Sequence, residues 1–330
     1  MVYEDETQKM RRYLSEALKT APLTKRRAID AALSRFPLTE EERRNTATSG
    51  KKNILKSRLG TVFSELVAEG ILLRAKDGTY LLAQNSPVVF QEARCEAEIL
   101  SLLASAPSTK NVLRSKLATR LGTDKTVSET DDAKLYGMLP DILSRLLSEG
   151  TVSRKGNVYM LSEKEGMSAE KICAHAKLRA DFLESLHAKG GEFFEHYLLE
   201  LLKRYLTRHG KTVTDCRSTG GAEDGGIDGI LSTSDVLGFR EKIMVQAKNR
   251  NDRATEREVR GFYGAVCAAD GSRGIFATTS GFCPSAKEFL DAVDNCVGID
   301  GYRIFDMALE TAYGIRKKGG VLSVDKTLFS

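Results

Sequence analysis

A multidomain α/β fold is predicted for this chain by three observations. Past residue 190, strand-like runs alternate with helix-like runs, the pattern of a sheet covered by helices. The first half holds a diverged repeat, in which Ser64–Gly70 aligns with Ser144–Gly150 and each copy closes in a short hairpin. The 330 residues, 41% hydrophobic and 29% charged, suffice for two or three domains with cores of their own.

The repeat comes first in the chain. Leu59, Val62, Phe63 and Leu66 match Leu139, Ile142, Leu143 and Leu146, all at helical spacing. Gly70 and Gly150 suit the left-handed residue that ends a helix. Asp77-Gly78 and Gly156-Asn157 then read as two-residue turns between short alternating strands. Helices, one amphipathic helix and a small hairpin make the layout of a winged helix, expected over 1–90 and again over 91–163. Residues 1–90 hold 16 Lys/Arg against 11 Asp/Glu, and the other 240 residues hold 34 of each, so the net +5 lies wholly in the first quarter. Such a field favours polyanions. Lys51, Lys52, Lys56, Arg58, Arg74 and Lys76 are the candidate DNA contacts. A solvated helical surface would carry the same charge, so DNA binding and a bland surface both stand for the first copy. The second copy lacks the basic excess and suits protein binding or packing as well as it suits DNA.

Residues 164–190 read as a helical connector with Ser168 as N-cap, stopped by Gly190-Gly191. From 191 to about 315 the reading is helix (192–208), strands (211–217, 227–233 and 241–248), helix (256–269) and strand (273–279). Helix (284–294), strand (296–299) and helix (303–315) follow, and 316–330 reads as a tail. No apolar run approaches the ~20 residues of a membrane helix. The acidic N-terminus lacks a signal peptide's plan. The chain is therefore expected to be cytoplasmic. Six scattered cysteines without a C-x-x-C pair read as reduced thiols, Cys267 and Cys296 serving packing.

Chemistry concentrates between Gly220 and Lys248. An acidic, glycine-rich turn leads to Asp228, and Gln246-Ala247-Lys248 ends a second strand-like run. Two strands joined by a turn would bring Asp228 to the Gln246/Lys248 end. Alternation puts Gln246 and Lys248 on one face and Ala247 on the other. A carboxylate, an amide oxygen, a backbone carbonyl (Ala247) and an ammonium group on one rim suit a hard divalent cation with a water beside it. Each residue also has a plainer reading: a turn aspartate, a hydrogen-bonded core amide, a strand-end lysine reaching solvent. His196 reads as a surface or packing residue, because nothing nearby completes a nucleophile set.

This pattern resembles the PD-(D/E)xK nucleases, and within them the Mrr-like restriction endonucleases, in which Gln replaces the usual second acid in a QxK triplet. The resemblance covers residues 191 to about 315. It runs through Gly191–Leu202 with Glu195, the GGIDG at 225–229, Val259–Ala265, Gly274–Phe282 and Ile299-Asp-Gly301. The first N-terminal copy also resembles the Mrr N-terminal domain, through Leu38–Arg43 and Ser49-Gly50. The resemblance implies a restriction-endonuclease-like α/β sandwich with a central mixed sheet. It implies catalysis by Asp228, Gln246, Lys248 and Glu195, and Mg²⁺ (or Mn²⁺) on Asp228, Gln246 and the Ala247 carbonyl. Thr278-Thr279-Ser280 would line the site or contact phosphate, or cap the next helix. Glu223 departs from the family's glycine and adds charge near the metal. The expected activity is Mg²⁺-dependent cleavage of methylated foreign double-stranded DNA, as in type IV restriction, by a homodimer or larger assembly. A non-cleaving DNA-binding regulator and a structure-specific nuclease indifferent to methylation are the alternatives.

Overall fold

The computed structural model describes residues 6–19, 21–44, 50–68, 72–74, 78–82, 92–121, 129–162, 168–219, 226–269 and 272–329. In chain order the elements are α1 (Glu6–Ala17), β1 (Leu23–Thr24), α2 (Lys25–Leu33), α3 (Glu40–Arg44), α4 (Lys51–Ala68), β2 (Leu72–Arg74) and β3 (Thr79–Leu82). Then come α5 (Glu92–Ser105), β4 (Ser108–Thr109), α6 (Lys110–Leu121), α7 (Glu129–Ser148), β5 (Val152–Lys155) and β6 (Val158–Leu161). The remainder is α8 (Ala169–Ala188), α9 (Gly190–Arg208), β7 (Thr212–Ser218), β8 (Gly229–Ser234), β9 (Arg240–Lys248), α10 (Glu256–Ala268) and β10 (Ser272–Thr278). It closes with α11 (Pro284–Asp291), β11 (Cys296–Ile299), α12 (Gly301–Thr311), β12 (Ile315–Lys318) and β13 (Val321–Val324). The chain divides into two compact units, Met1–Phe90 with Pro107–Ser162, and Gln91–Ala106 with Glu163–Ser330.

In the first unit two short three-stranded sheets share one plan, β1-β3-β2 and β4-β6-β5. In each, the strand before the second helix pairs with the far strand of the hairpin. α4 buries Leu55, Leu59, Val62, Phe63 and Leu66 against Met10, Leu14, Ala28 and Leu72. α7 buries Leu139, Ile142, Leu143 and Leu146, as the repeat spacing requires. Gly150 closes α7 at φ +66°, a conformation that costs a residue with a Cβ. Gly70 and Asp77, the corresponding signals in the first copy, lie outside the described residues.

The second unit is a sandwich around a mixed five-stranded sheet, β11-β10-β9-β8-β7. β7, β8 and β9 are antiparallel neighbours, while β9, β10 and β11 run parallel. α9 lies on one face, where Leu199 fills the space above Gly229; a Cβ there would come within 2.6 Å of it. α10 and α11 cover the other face with Val259, Phe262, Val266, Ala286 and Leu290 around Met244 and Phe276. The central mixed sheet is thus present. Ser168 caps α8, accepting from Lys171 N, and Gly190 at φ +83° marks the break between α8 and α9.

Two regions depart from the sequence reading. α5, counted there with the second N-terminal copy, packs along α8. Its buried Glu96 pairs with Arg179 (2.5 Å) and accepts from Tyr302 Oη (2.7 Å), compensation that a buried carboxylate requires. Residues 316–329 of the segment read as a tail instead form most of the β12–β13 hairpin and a closing segment. Gly319 and Gly320, at φ +58° and +84°, make its turn, and Phe329 packs on Phe182, Phe193 and Tyr197. Cys95, Cys283 and Cys296 are buried, whereas Cys267 is exposed, so the packing role expected for it falls away.

Candidate active site

Asp228 stands one residue before β8 and is tied to both neighbouring strands. Its N–H donates to Val245 O (2.8 Å), and its carbonyl accepts from Thr219 N (3.2 Å) and Ser218 Oγ (3.3 Å). Its Oδ2 accepts from Ala247 N (2.7 Å), which fixes the carboxylate against the end of β9. Among the described residues the other carboxylate oxygen has no hydrogen-bond partner. In a strand the N–H and C=O of one residue point to the same side. The Ala247 carbonyl therefore faces Asp228, beyond the start of β8 and so beyond that strand's ladder.

Gln246 is buried, 8% exposed, with no hydrogen bond to its amide among the described residues. Gly226, at φ +83°, presses the incoming turn onto it: a Cβ there would collide with Gln246 Nε2. Only glycine fits that position. Lys248 ends β9, partly buried, and makes no ion pair among the described residues. Its backbone carbonyl accepts from Thr279 N at 3.1 Å.

Glu195 lies one turn before Leu199 on α9, so the seat of Leu199 on Gly229 carries Glu195 to the same rim. Burial pushes its carboxyl up, the nearby Asp228 carboxylate adds to this, and Lys248 opposes it. The Glu195 carboxyl beside that of Asp228, a Gln246 amide with no hydrogen bond among the described residues and the Ala247 carbonyl fit a hard divalent cation. No cluster of three or more His, Cys, Asp and Glu side chains that could hold a metal occurs among the described residues. Glu223 and Asp224 lie outside the described residues.

The structure thus brings Asp228, Gln246, Ala247, Lys248 and Glu195 together. It also shows supporting residues that sequence reasoning missed. Arg250 forms a two-point pair with Glu258 (2.5 and 2.7 Å), and Glu258 completes a capping box with Thr255. Burial would raise the Glu258 carboxyl, but the hydrogen bonds from Arg250 and Thr255 outweigh it and hold it at about 2. Thr279 points inward, accepting from Arg250 N (2.9 Å), while the Thr278 and Ser280 hydroxyls bond each other (3.0 Å). None of the three caps α11, whose N-cap is Cys283. His196 bonds Glu192 O at 2.8 Å on the helix surface, as expected.

The proposed DNA contacts belong to the first unit. Lys51 pairs with Glu42 (3.2 Å), Lys56 with Asp30 (2.9 Å) and Arg58 with Glu6. Lys52 is partly buried and Arg74 exposed; Lys76 lies outside the described residues.

Residues 186–308 match the family Mrr_cat, described as a restriction endonuclease. Over 138 residues the chain is 36% identical to the type IV methyl-directed restriction enzyme EcoKMrr of Escherichia coli (strain K12), spanning 42% of this chain and 44% of that protein. The chain therefore spans less than half the length of that relative. Among solved structures, MspJI restriction endonuclease in complex with a 27-mer oligonucleotide aligns with a TM-score of 0.34 and 17% identity, over 46% of this chain and 36% of that one. No helix among the described residues is long and apolar enough to cross a membrane. Residues 186–308, the stretch that holds the Asp228–Gln246–Lys248 rim, are thus similar to the restriction endonuclease family Mrr_cat, a likeness confined to that stretch.

Proposed function

We propose that the chain is a Mg²⁺-dependent endonuclease of the type IV kind, hydrolysing phosphodiester bonds of methylated foreign DNA inside the cell. The observation that carries this reading is the fixed carboxylate of Asp228, bonded to Ala247 N between a Gln246 amide and a Lys248 ammonium group that have no partner among the described residues. Methylated DNA as substrate rests on the likeness to the methyl-directed restriction enzyme of E. coli.

Phosphodiester hydrolysis needs a water delivered in line with the leaving oxygen and offset of charge on the phosphoryl group. Asp228, Gln246 and the Ala247 carbonyl would hold Mg²⁺, or Mn²⁺ in its place, with Glu195 as the second carboxylate. The bound ion would offset phosphoryl charge and acidify a water. Lys248, a compact cation on a flexible stem, orients that water and neutralises charge as the bond breaks. Gln246 is held by the Gly226 turn, so its oxygen stays aimed without competing for the lysine.

The N-terminal segments fit two winged helices, over 1–90 and, without α5, over 107–162, because their sheets share one plan; 164–190 leads on to a nuclease domain from 191 onward. α4 would be the helix that meets double-stranded DNA, with Lys51, Lys52, Lys56, Arg58 and the hairpin's Arg74 and Lys76 contacting phosphates. One site cuts one strand, so a double-strand break needs a homodimer or larger assembly.

The test is cleavage of methylated and unmethylated plasmid by the parent protein, Asp228→Ala and Lys248→Ala, with Mg²⁺ or EDTA. Cutting confined to methylated plasmid, and lost in EDTA and in both variants, is expected. Equal cutting of both plasmids would favour a nuclease indifferent to methylation. Tight DNA binding without any cutting would favour a regulator.

A further inference from the structure

We infer that Asn249, gripped by His187 and Thr279, is the positioning residue that fixes where Lys248 presents its ammonium group. This rests on the nuclease reading above and deepens it. Lys248 ends its strand, and a strand end is where a long side chain loses its register. Here the next residue is bonded at every point it offers.

A primary amide has two N–H donors and two acceptor sites. Asn249 Nδ2 donates to Gly190 O (2.7 Å) and His187 O (3.2 Å). Asn249 Oδ1 accepts from His187 Nδ1 (2.9 Å) and lies 3.1 Å from the Thr279 hydroxyl, which shares its hydrogen with Arg250 O. The carbonyls facing Nδ2 settle the amide's orientation, and that makes His187 Nδ1 the donor. His187 Nε2 is then left to accept from Asn251 Nδ2 at 2.9 Å. One imidazole thus bridges Asn249 and Asn251, two residues apart just past the lysine.

The grip comes from elements that also hold the rest of the site. His187 sits in the last turn of α8, and Gly190 opens α9, the helix that carries Glu195. Thr279 follows β10 and takes both Lys248 O, through its N–H, and Arg250 N, through its hydroxyl. Just past the strand, Asn249 turns its side chain to the junction of α8 and α9, where His187 and Gly190 hold it. With both ends of its amide taken by these partners, it acts on the lysine through the backbone. Nothing in the hydrolytic step itself requires His187 or Asn249. Their complete mutual satisfaction at the lysine's neighbour does require an account, and preorganisation supplies one.

Single-turnover cleavage of methylated supercoiled plasmid, alongside DNA affinity and melting temperature, tests the assignment. Asn249→Ala and His187→Ala are expected to slow cleavage about 100-fold, the size of effect a displacement of about 1 Å produces, with affinity unchanged. His187→Asn is expected to recover most of the rate, because its amide nitrogen lands where Nδ1 stood; His187→Gln, which reaches instead toward Nε2, is not. Should Asn249→Ala fail to fold, the three His187 variants decide alone. Parent-like cleavage by His187→Ala, or equal loss in His187→Asn and His187→Ala, would overturn the positioning role and leave the nuclease reading standing. No Mg²⁺-dependent cleavage by the parent would overturn both.

Discussion

Two regions of this molecule carry lysines that sequence alone marks as functional, and they treat those charges in opposite ways. On α4, Lys51, Lys56 and Arg58 each meet a carboxylate, from α3, α2 and α1 in turn. At the end of β9, Lys248 makes no ion pair among the described residues, although Glu195 and Asp228 share its rim. Paired surface charges gain little from their partners and can exchange them at small cost. On the reading proposed above, a partly buried ammonium group with no ion pair among the described residues, on a strand end bonded on both sides, serves the incoming phosphate. On that reading the first region serves adjustable, salt-sensitive contact and the second fixed geometry.

That contrast is broken most sharply at the rim. Asp228→Ala and Lys248→Ala are expected to reduce cleavage by about 10²–10⁴-fold while leaving DNA affinity within a few-fold, since general acid–base and charge-stabilising groups contribute on that scale. Lys248→Arg should recover little, because a planar guanidinium cannot occupy the place of a compact ammonium group. Glu195→Gln should fall between, losing about tenfold, because its carboxylate shares the rim without the backbone tie that fixes Asp228. Single-turnover rates set beside equilibrium binding give the ordering. A loss of binding equal to the loss of rate in Lys248→Ala would mean that the lysine merely holds phosphate.

Much of the rim was legible because its signal is local. Asp228 and Gln246–Lys248 lie on adjacent antiparallel strands, so alternation and one turn place them together, and Gly226 and Gly229 carry the close approaches. Glu195 came through resemblance, since a helical glutamate has no signal of its own. What stayed hidden depends on distant partners. Asn249 meets His187 across 62 residues, and an Asn-Arg-Asn run at a strand end reads as loop. Glu96 reads as an ordinary exposed helix residue until Arg179, 83 positions on, makes its burial tolerable. The β12–β13 hairpin was read as a tail because only Ile315 of β12 is buried, so no alternation announces a strand. Its Gly319-Gly320 turn was the available signal.

The support behind the rim gives a smaller, pH-dependent effect. Glu258→Gln removes the charged partner of Arg250 and weakens the α10 cap, and should cost about 1–2 kcal/mol near neutral pH, allowing for partial exposure. The Glu258 carboxyl is held down at about 2 in the folded protein. A lowered acid contributes stability above the ordinary glutamate range and loses it as pH falls through that range toward 2. The melting-temperature gap between the parent and Glu258→Gln should therefore be full at neutral pH and close on acidification. A gap that persists unchanged at low pH would mean that packing, and not the Arg250 pair, sets the difference.

The smallest expected effect belongs to α4, and it tests the other half of the comparison. If its cations exchange carboxylate for phosphate, their present partners are competitors for DNA. Asp30→Asn and Glu42→Gln should then tighten non-specific DNA binding by a few-fold and change stability by less than about 1 kcal/mol. Lys56→Ala should weaken binding evenly across sequences and lower the slope of log affinity against log salt by about one, as loss of one phosphate contact does. The cleavage rate at saturating DNA should not move, because α4 contributes nothing to the rim. Unchanged affinity in all three variants would make these pairs what surface ion pairs ordinarily are, and would shift the search for the DNA-reading surface away from α4.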